Sequence, residues 1–452
     1  MKPFTLFFSA LASVVTPWLH AGPQAVQGLD KTATEVRIRY ADGVLVLRPL
    51  ADNAVRVRFG AAPLSETPSF VLTQSLPTPA FKIEDGIQTI KVSTVKIQVN
   101  VDRESGALAF LDASGRVLLR EPLTGARKLT PTQVGQDKTL TVEQVFQSPS
   151  DEFLYGLGQF QDGIWNWRGI PLELRQLNTQ IAVPMLISSK GYGLLWDNAS
   201  LTDFNPADQE IALNGGTVAD TAGKQPNATE DLDKTPMDLS KLGQKTGTFT
   251  TGEAGEYVFL AKDGNRSGDF AILVDGKQVA GVTNMWTPRG LSAKVKLPAH
   301  TTVAVGLRGG GKSAKLFARP LGDTTTFRAQ MGDAIDYTFF YGPSVDAIVA
   351  GYRKATGEAP MWPKWAYGFW QCRERYSSQQ QILDAVAEFR NRRIPMDLIV
   401  QDWQYWGPHG WGAYQWDQKH YPDPAALLKG IHDQNAKFMI SVWCNPHGKA
   451  GA

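Results

Sequence analysis

Cysteine is nearly absent. Two cysteines in 452 residues, Cys372 and Cys444, cannot build a disulfide framework, and no histidine pattern around them makes a zinc site. A surplus of one charge is missing as well: 46 Lys and Arg against 44 Asp and Glu leave a formal charge of +2. A nucleic-acid binder dominated by phosphate contacts would be more basic. Long apolar runs are also missing. Phe4–Val15 is too short to span a bilayer, and nothing downstream resembles a membrane helix. The run Gly309-Gly310-Gly311-Lys312-Ser313 lacks the first glycine of a phosphate-binding loop and follows no strand–helix unit, so it reads as a turn.

What is present begins at the N-terminus. Lys2, the apolar stretch and Leu19-His20-Ala21 fit a signal peptide over residues 1–21, and export to the periplasm or beyond is expected. No cysteine follows the cleavage site, which excludes a lipid anchor there. Thirteen tryptophans and 43 glycines suit an extracellular β-rich protein, and the length favours two to four domains.

Residues 22–227 read as a β-sandwich. TEVRIRY, GVLVLRPL, AVRVRFG, VKIQVNVD and GALAFLD alternate apolar with polar side chains between Gly, Asp and Asn. A polar stretch over about residues 200–245 reads as a long loop or linker. Residues 228–315 form a second β module, with Asp275-Gly276 as a hairpin signal, and residues 316–358 return to the first sandwich. From residue 359 to 452 the pattern changes to strand, helix, strand, helix, strand. AYGFWQ, MDLIVQ and KFMISVW are the expected strands, with a helix over 377–392. Ser378 and Gln381 form a capping box, and Asp423-Pro424 opens a second helix. The expected architecture is multidomain: an N-terminal β-sandwich with an inserted β module, then the first three βα units of a (β/α)8 barrel. A whole barrel takes about 250 residues, so a C-terminally truncated copy is expected.

In such barrels chemistry sits at strand ends. Here those ends carry Cys372-Arg373-Glu374-Arg375-Tyr376, Asp402-Trp403-Gln404-Tyr405-Trp406 and Trp443-Cys444-Asn445-Pro446-His447. Each sets hydrogen-bonding groups beside aromatics. Sugars need that mixture, because indole faces stack on C–H surfaces while carboxylates and amides hold hydroxyls. Asp402 is therefore expected to grip hydroxyls, with Trp406, Trp411 and Trp416 divided between pocket rim and loop packing. Arg373 and Arg375 either anchor substrate or pair with Glu374. Cys372 reads as a small buried thiol, Asp417 as an acid that fixes its loop, Asp397 as structural.

PKWAYGFWQCRERY, IPMDLIVQDWQYWG, WDQKHYPDP and KFMISVWCNP, in that order, resemble consecutive blocks of glycoside hydrolase family 31. FLYGLGQFQDGIWNWRG and YGLLWDN resemble the family's N-terminal sandwich. Within the family the blocks look most like bacterial α-xylosidases acting on xyloglucan oligosaccharides, some of which carry a PA14-type insert similar to GTFTTGEAGEYVFL and ILVDGKQV here. Gln404 stands where many α-glucosidases of the family carry aspartate. An α-glucosidase, an α-transglucosylase or a non-catalytic carbohydrate-binding protein are the alternatives. The resemblance implies retaining hydrolysis by two aspartates about 5 Å apart, both on later strands beyond Ala452, so no catalytic residue is assigned in this sequence and the fragment is expected to be inactive. It implies that Asp402 grips substrate, that Trp403 and Gln404 line the sugar subsite, that Trp443 packs against it, and that Arg373 contributes; the sandwich loop around Gln161 reaches the same pocket. It implies no metal and no cofactor. The partner is an oligosaccharide, with no nucleic acid and no membrane span.

Overall fold

The structure is a computed structural model that describes residues 25–64, 68–160, 163–176, 180–215, 238–262, 269–283, 290–311 and 313–442. The described residues fall into two units, one ending at Glu358 and the other beginning at Ala359. Among them no helix is long and apolar enough to cross a membrane.

The first unit is almost entirely antiparallel sheet, as its period-2 alternation requires. Its largest sheet has eight strands, and the order of strands carries the main topological fact. Ala334–Tyr341 lies between Ala54–Gly60 and Tyr192–Trp196, hydrogen-bonded to both. A central strand is thus supplied late in sequence. Thr324–Gly332 behaves alike in a five-stranded sheet, pairing with Asp137–Gln147 and Thr202–Phe204. A five-stranded meander from Lys82–Asp85 to Val117–Arg120 completes the framework. The shared core includes Phe110, Phe146, Trp196, Phe327, Tyr337 and Phe339, with Phe110 stacked on Phe339 at 4.5 Å.

Between the early and late strands, the eight described strands from Gln209–Ile211 to Lys315–Pro320 form two four-stranded antiparallel sheets around a core of their own, containing Phe249, Phe259, Phe270, Ile272 and Leu307. The Asp275-Gly276 turn adopts positive φ at both residues, +47° and +72°, and joins Phe270–Val274 to Lys277–Val282 with Val274 opposite Lys277. Glycine removes the steric cost of the second position. The stretch read as a linker already contains strands at Thr202–Phe204 and Gln209–Ile211. At three residues each, they are too short to show a period.

The second unit has a three-stranded parallel sheet, Trp370–Gln371, Leu398–Gln401 and Lys437–Ile440, with helices Gln379–Asn391 and Pro424–Asp433. Ser378 caps the first helix by accepting from the Gln381 amide at 3.2 Å, while the Gln381 side chain reaches back to the Ser377 N–H at 2.7 Å. Asp423 caps the second through the Ala426 amide. The first strand is shorter than AYGFWQ: Lys364–Tyr367 is a 3-10 turn following Pro363. Asp397 explains where the strand starts. Its carboxylate accepts from the Phe369 N–H at 3.1 Å, and its own N–H donates to the Phe369 carbonyl. A Cβ at Gly368 would lie 2.0 Å from that carboxylate, so only glycine admits the approach.

The late strand is locked by charge. Asp336 accepts from Arg56 through both oxygens, at 2.9 and 2.6 Å, and from Arg58 at 2.9 Å, with 11% of the aspartate side chain exposed. Removing the carboxylate takes the shortest charge-assisted bonds from two largely desolvated guanidinium groups and leaves Asp197 at 3.5 Å from Arg56. Asp336→Ala is expected to lower the stability of this unit by roughly 3–5 kcal/mol, read as the shift of its urea transition.

Candidate functional site

The three parallel strands end on one side, and two of those ends interlock. Leu398 and Ile399 are fully or almost fully buried, as a strand covered on both faces requires. Gln401 ends the strand with no exposure. Its amide donates to the Tyr376 carbonyl at 3.3 Å and to the Asp402 carbonyl at 3.1 Å. The Tyr421 hydroxyl donates to the same Tyr376 carbonyl, and burial pushes its pKa up to about 12. The segment after the first strand is thereby held against the end of the second.

Asp402 follows immediately and is half-buried. Partial desolvation of the sulfur by its neighbours, and then the nearby Asp402 charge, raise the Cys372 thiol above its ordinary range. Cys372 is exposed, not buried as expected, because the first strand stops at Gln371 and leaves its side chain on the loop. Both factors disfavour its thiolate.

Trp403 is held by two residues. Its indole N–H donates to Glu374 Oε1 at 3.2 Å, and Arg375 Nη1 donates to the same oxygen at 3.3 Å. The Arg375 guanidinium lies 4.9 Å from the Trp403 ring centre, within cation–π range. Trp411 sits 5.1 Å away at 47°. Of the two arginines, Arg375 thus joins the Trp403 cluster, whereas Arg373 lies over Tyr376 at 5.6 Å. Gln404 is exposed at φ +65°, an uncommon conformation for glutamine, and its carbonyl accepts from the Gly407 N–H. Trp443 and Gln161 lie outside the described residues.

Glu374 is the residue that sequence reasoning treated only as a partner for arginine. Its second oxygen, Oε2, is buried with no hydrogen-bond partner among the described residues, and so is Gln401 Oε1. The acid flanked by two arginines was a visible signal; its reach to the next strand's tryptophan was not.

The tryptophans divide as their exposure dictates. Trp406 is buried against Tyr405, Trp416 packs on Tyr405, Tyr421 and Phe438, and Trp411 is 38% exposed. Asp417 ties the loop together. Its backbone N–H donates to the Tyr405 carbonyl, its carboxylate accepts from the Lys419 N–H, and His420 Nδ1 lies 2.6 Å from Oδ2. No group of three or more metal-ligating side chains is assembled among the described residues.

The class is thus a β-rich N-terminal region followed by the start of a parallel (β/α) barrel whose strand ends present acids beside indoles. Residues 359–450 match the TIM-barrel domain of glycosyl hydrolases family 31, and residues 44–205 match that family's N-terminal galactose mutarotase-like domain. The chain belongs to glycoside hydrolase family 31. An α-xylosidase of Saccharolobus solfataricus is 29% identical over 409 residues, 87% of this chain and 39% of the relative. The crystal structure of a family 31 α-xylosidase from Xanthomonas citri superposes with a TM-score of 0.77 at 31% identity, covering 91% of this chain and 49% of that one. A family 31 α-xylosidase from a soil metagenome, solved with xylose, shares the fold at 22% identity and a TM-score of 0.62, covering 92% and 47%. The chain therefore spans well under two thirds of the length of these relatives.

His420 beside Asp417 holds that carboxyl below its ordinary value of 3.8. A depressed folded-state pKa contributes stability above the unfolded value and loses it as pH falls through the folded one. The 402–421 loop is expected to keep its tryptophan emission above pH about 4 and to lose it progressively below. Asp417→Asn is expected to weaken the loop at neutral pH and flatten that acid limb, both read by fluorescence titration.

Proposed function

We propose that this chain is the substrate-gripping portion of an exported, retaining α-glycosidase that releases α-xylosyl units from the non-reducing ends of xyloglucan oligosaccharides. One observation carries the reading: at adjacent parallel strand ends, a half-buried Asp402 stands beside an indole whose plane is held by Glu374 and Arg375. The α-xylosidases named among its relatives support the choice of sugar.

Asp402 supplies two acceptor oxygens for neighbouring sugar hydroxyls, and charge-assisted bonds of this kind are the strong ones. Trp403, Gln404 and Arg373 shape the subsite around it, with Trp443 as a further proposed wall. Hydrolysis with retention needs a nucleophile and an acid/base about 5 Å apart, and these are assigned to barrel strands that follow the three described. Asp402 is not cast as either. The module inserted in the sandwich is read as PA14-like, which its two four-stranded antiparallel sheets support.

The 452-residue chain is expected to release no xylose from an aryl α-xyloside. The protein extended through a whole barrel is expected to turn that substrate over about 10–200-fold faster than the α-glucoside, the range available to a pocket that discriminates a single small substituent. Asp402→Asn in that protein is expected to lower kcat/KM by about 10–100-fold. Xylose release by the shorter chain would overturn the placement of the catalytic pair, and a preference for the glucoside would make the protein an α-glucosidase.

A further inference from the structure

The inserted module meets the sandwich through one strand that serves two cores. In Gly255–Lys262, the side chains of Tyr257, Phe259 and Ala261 belong to the module's own core. Val258, on the opposite face, is fully buried and belongs to the core of the sandwich. Leu260 follows on that face and lines a small cavity together with Phe160, Leu172 and Phe204 of the sandwich. Alternation along a strand thus makes this one the shared wall of both cores.

The polar contacts around that wall converge on residues 168–174 of the sandwich. Lys294, opposite Val258 on strand Gly290–Leu297, donates to the Arg168 carbonyl at 3.1 Å. Gly169, at φ +70°, lies so close to Leu321 at the module's exit that a Cβ would stand 2.2 Å from its Cδ1. Strand Leu172–Leu174 pairs with Thr202–Phe204 in a register that sets Glu173 opposite Asp203, a repulsive placement. Lys262 of the module pairs with both acids, at 3.9 and 3.6 Å, and Arg175 adds a contact to Glu173 at 4.0 Å. Just ahead of this segment stands Trp165, 83% exposed, followed by Asn166, whose side chain accepts from the Leu154 and Arg168 N–H groups. We propose that the inserted module is a fixed brace and not a tethered appendage. Its folded state holds residues 168–174 in place, and the module and this part of the sandwich unfold as one unit. A change in the module is thereby transmitted to the segment that presents the Trp165 indole.

Native-state hydrogen exchange of the 452-residue chain in graded denaturant tests this, because strands that open together share one free energy and one denaturant slope. The amides of Gly255–Lys262 and of Leu172–Leu174 are expected to share both. Phe249 lies in the module's other sheet and packs only within the module's core, against Tyr257 and Phe259 at 5.4 Å each. Phe249→Leu is nevertheless expected to speed exchange in Leu172–Leu174 about tenfold or more, in step with Gly255–Lys262. Lys294→Met removes the charge-assisted bond to the Arg168 carbonyl; it is expected to act in the same direction and serves if Phe249→Leu does not fold. Separate slopes for the two strands in the wild type, or exchange in Leu172–Leu174 that stays unchanged in both variants, overturns the proposal and makes the module an independent appendage. None of these readouts involves the barrel strand ends, so failure of the proposed sugar site would leave the brace standing.

Discussion

Everything at the strand ends depends on one buried amide. Gln401 has no solvent to satisfy it, and its donors go to the carbonyls of Tyr376 and Asp402. An unsatisfied buried amide costs about 1–3 kcal/mol, so the polypeptide after the first strand is drawn onto the end of the second. Tyr421 adds its hydroxyl at the same carbonyl. Only with that segment in place can Glu374 reach the Trp403 indole across 29 positions of sequence. The acid–indole pairing is a product of tertiary closure more than of local sequence.

The loop that follows has the same economy. Asp417 accepts from a backbone N–H and contacts His420 while its own N–H closes on Tyr405. Gly407 is what lets the carboxylate in, since a Cβ there would lie 2.5 Å from its oxygen. The aromatic crowd is therefore of two kinds. Trp406 and Trp416 are packing for the loop, and Trp403 and Trp411 form the face that remains partly open.

Much of this was legible because it is local. A capping serine with glutamine three residues on, an Asp-Pro helix start and an Asp-Gly hairpin each state their own geometry within four residues. Other features were not. Whether AYGFWQ forms a strand over its length depends on Asp397, almost thirty residues later, and on a glycine that admits its carboxylate. The choice between Arg373 and Arg375 depends on which way a short loop turns, and a sequence with both arginines flanking one acid cannot say. Cys372 was misread because a strand-end thiol is buried only if the strand runs on past it.

The late arrival of Ala334–Tyr341 has a consequence for biosynthesis. Its neighbours on both sides, Ala54–Gly60 and Tyr192–Trp196, leave the ribosome with no partner between them, and once the second has emerged both wait for roughly 140 further residues. At 5–20 residues per second that interval is about 7–28 s. During it two hydrophobic strands display unpaired edges, the condition that favours association with other nascent chains. The intervening module has its own core and can fold during the wait, drawing its two ends together and delivering the missing strand to its slot.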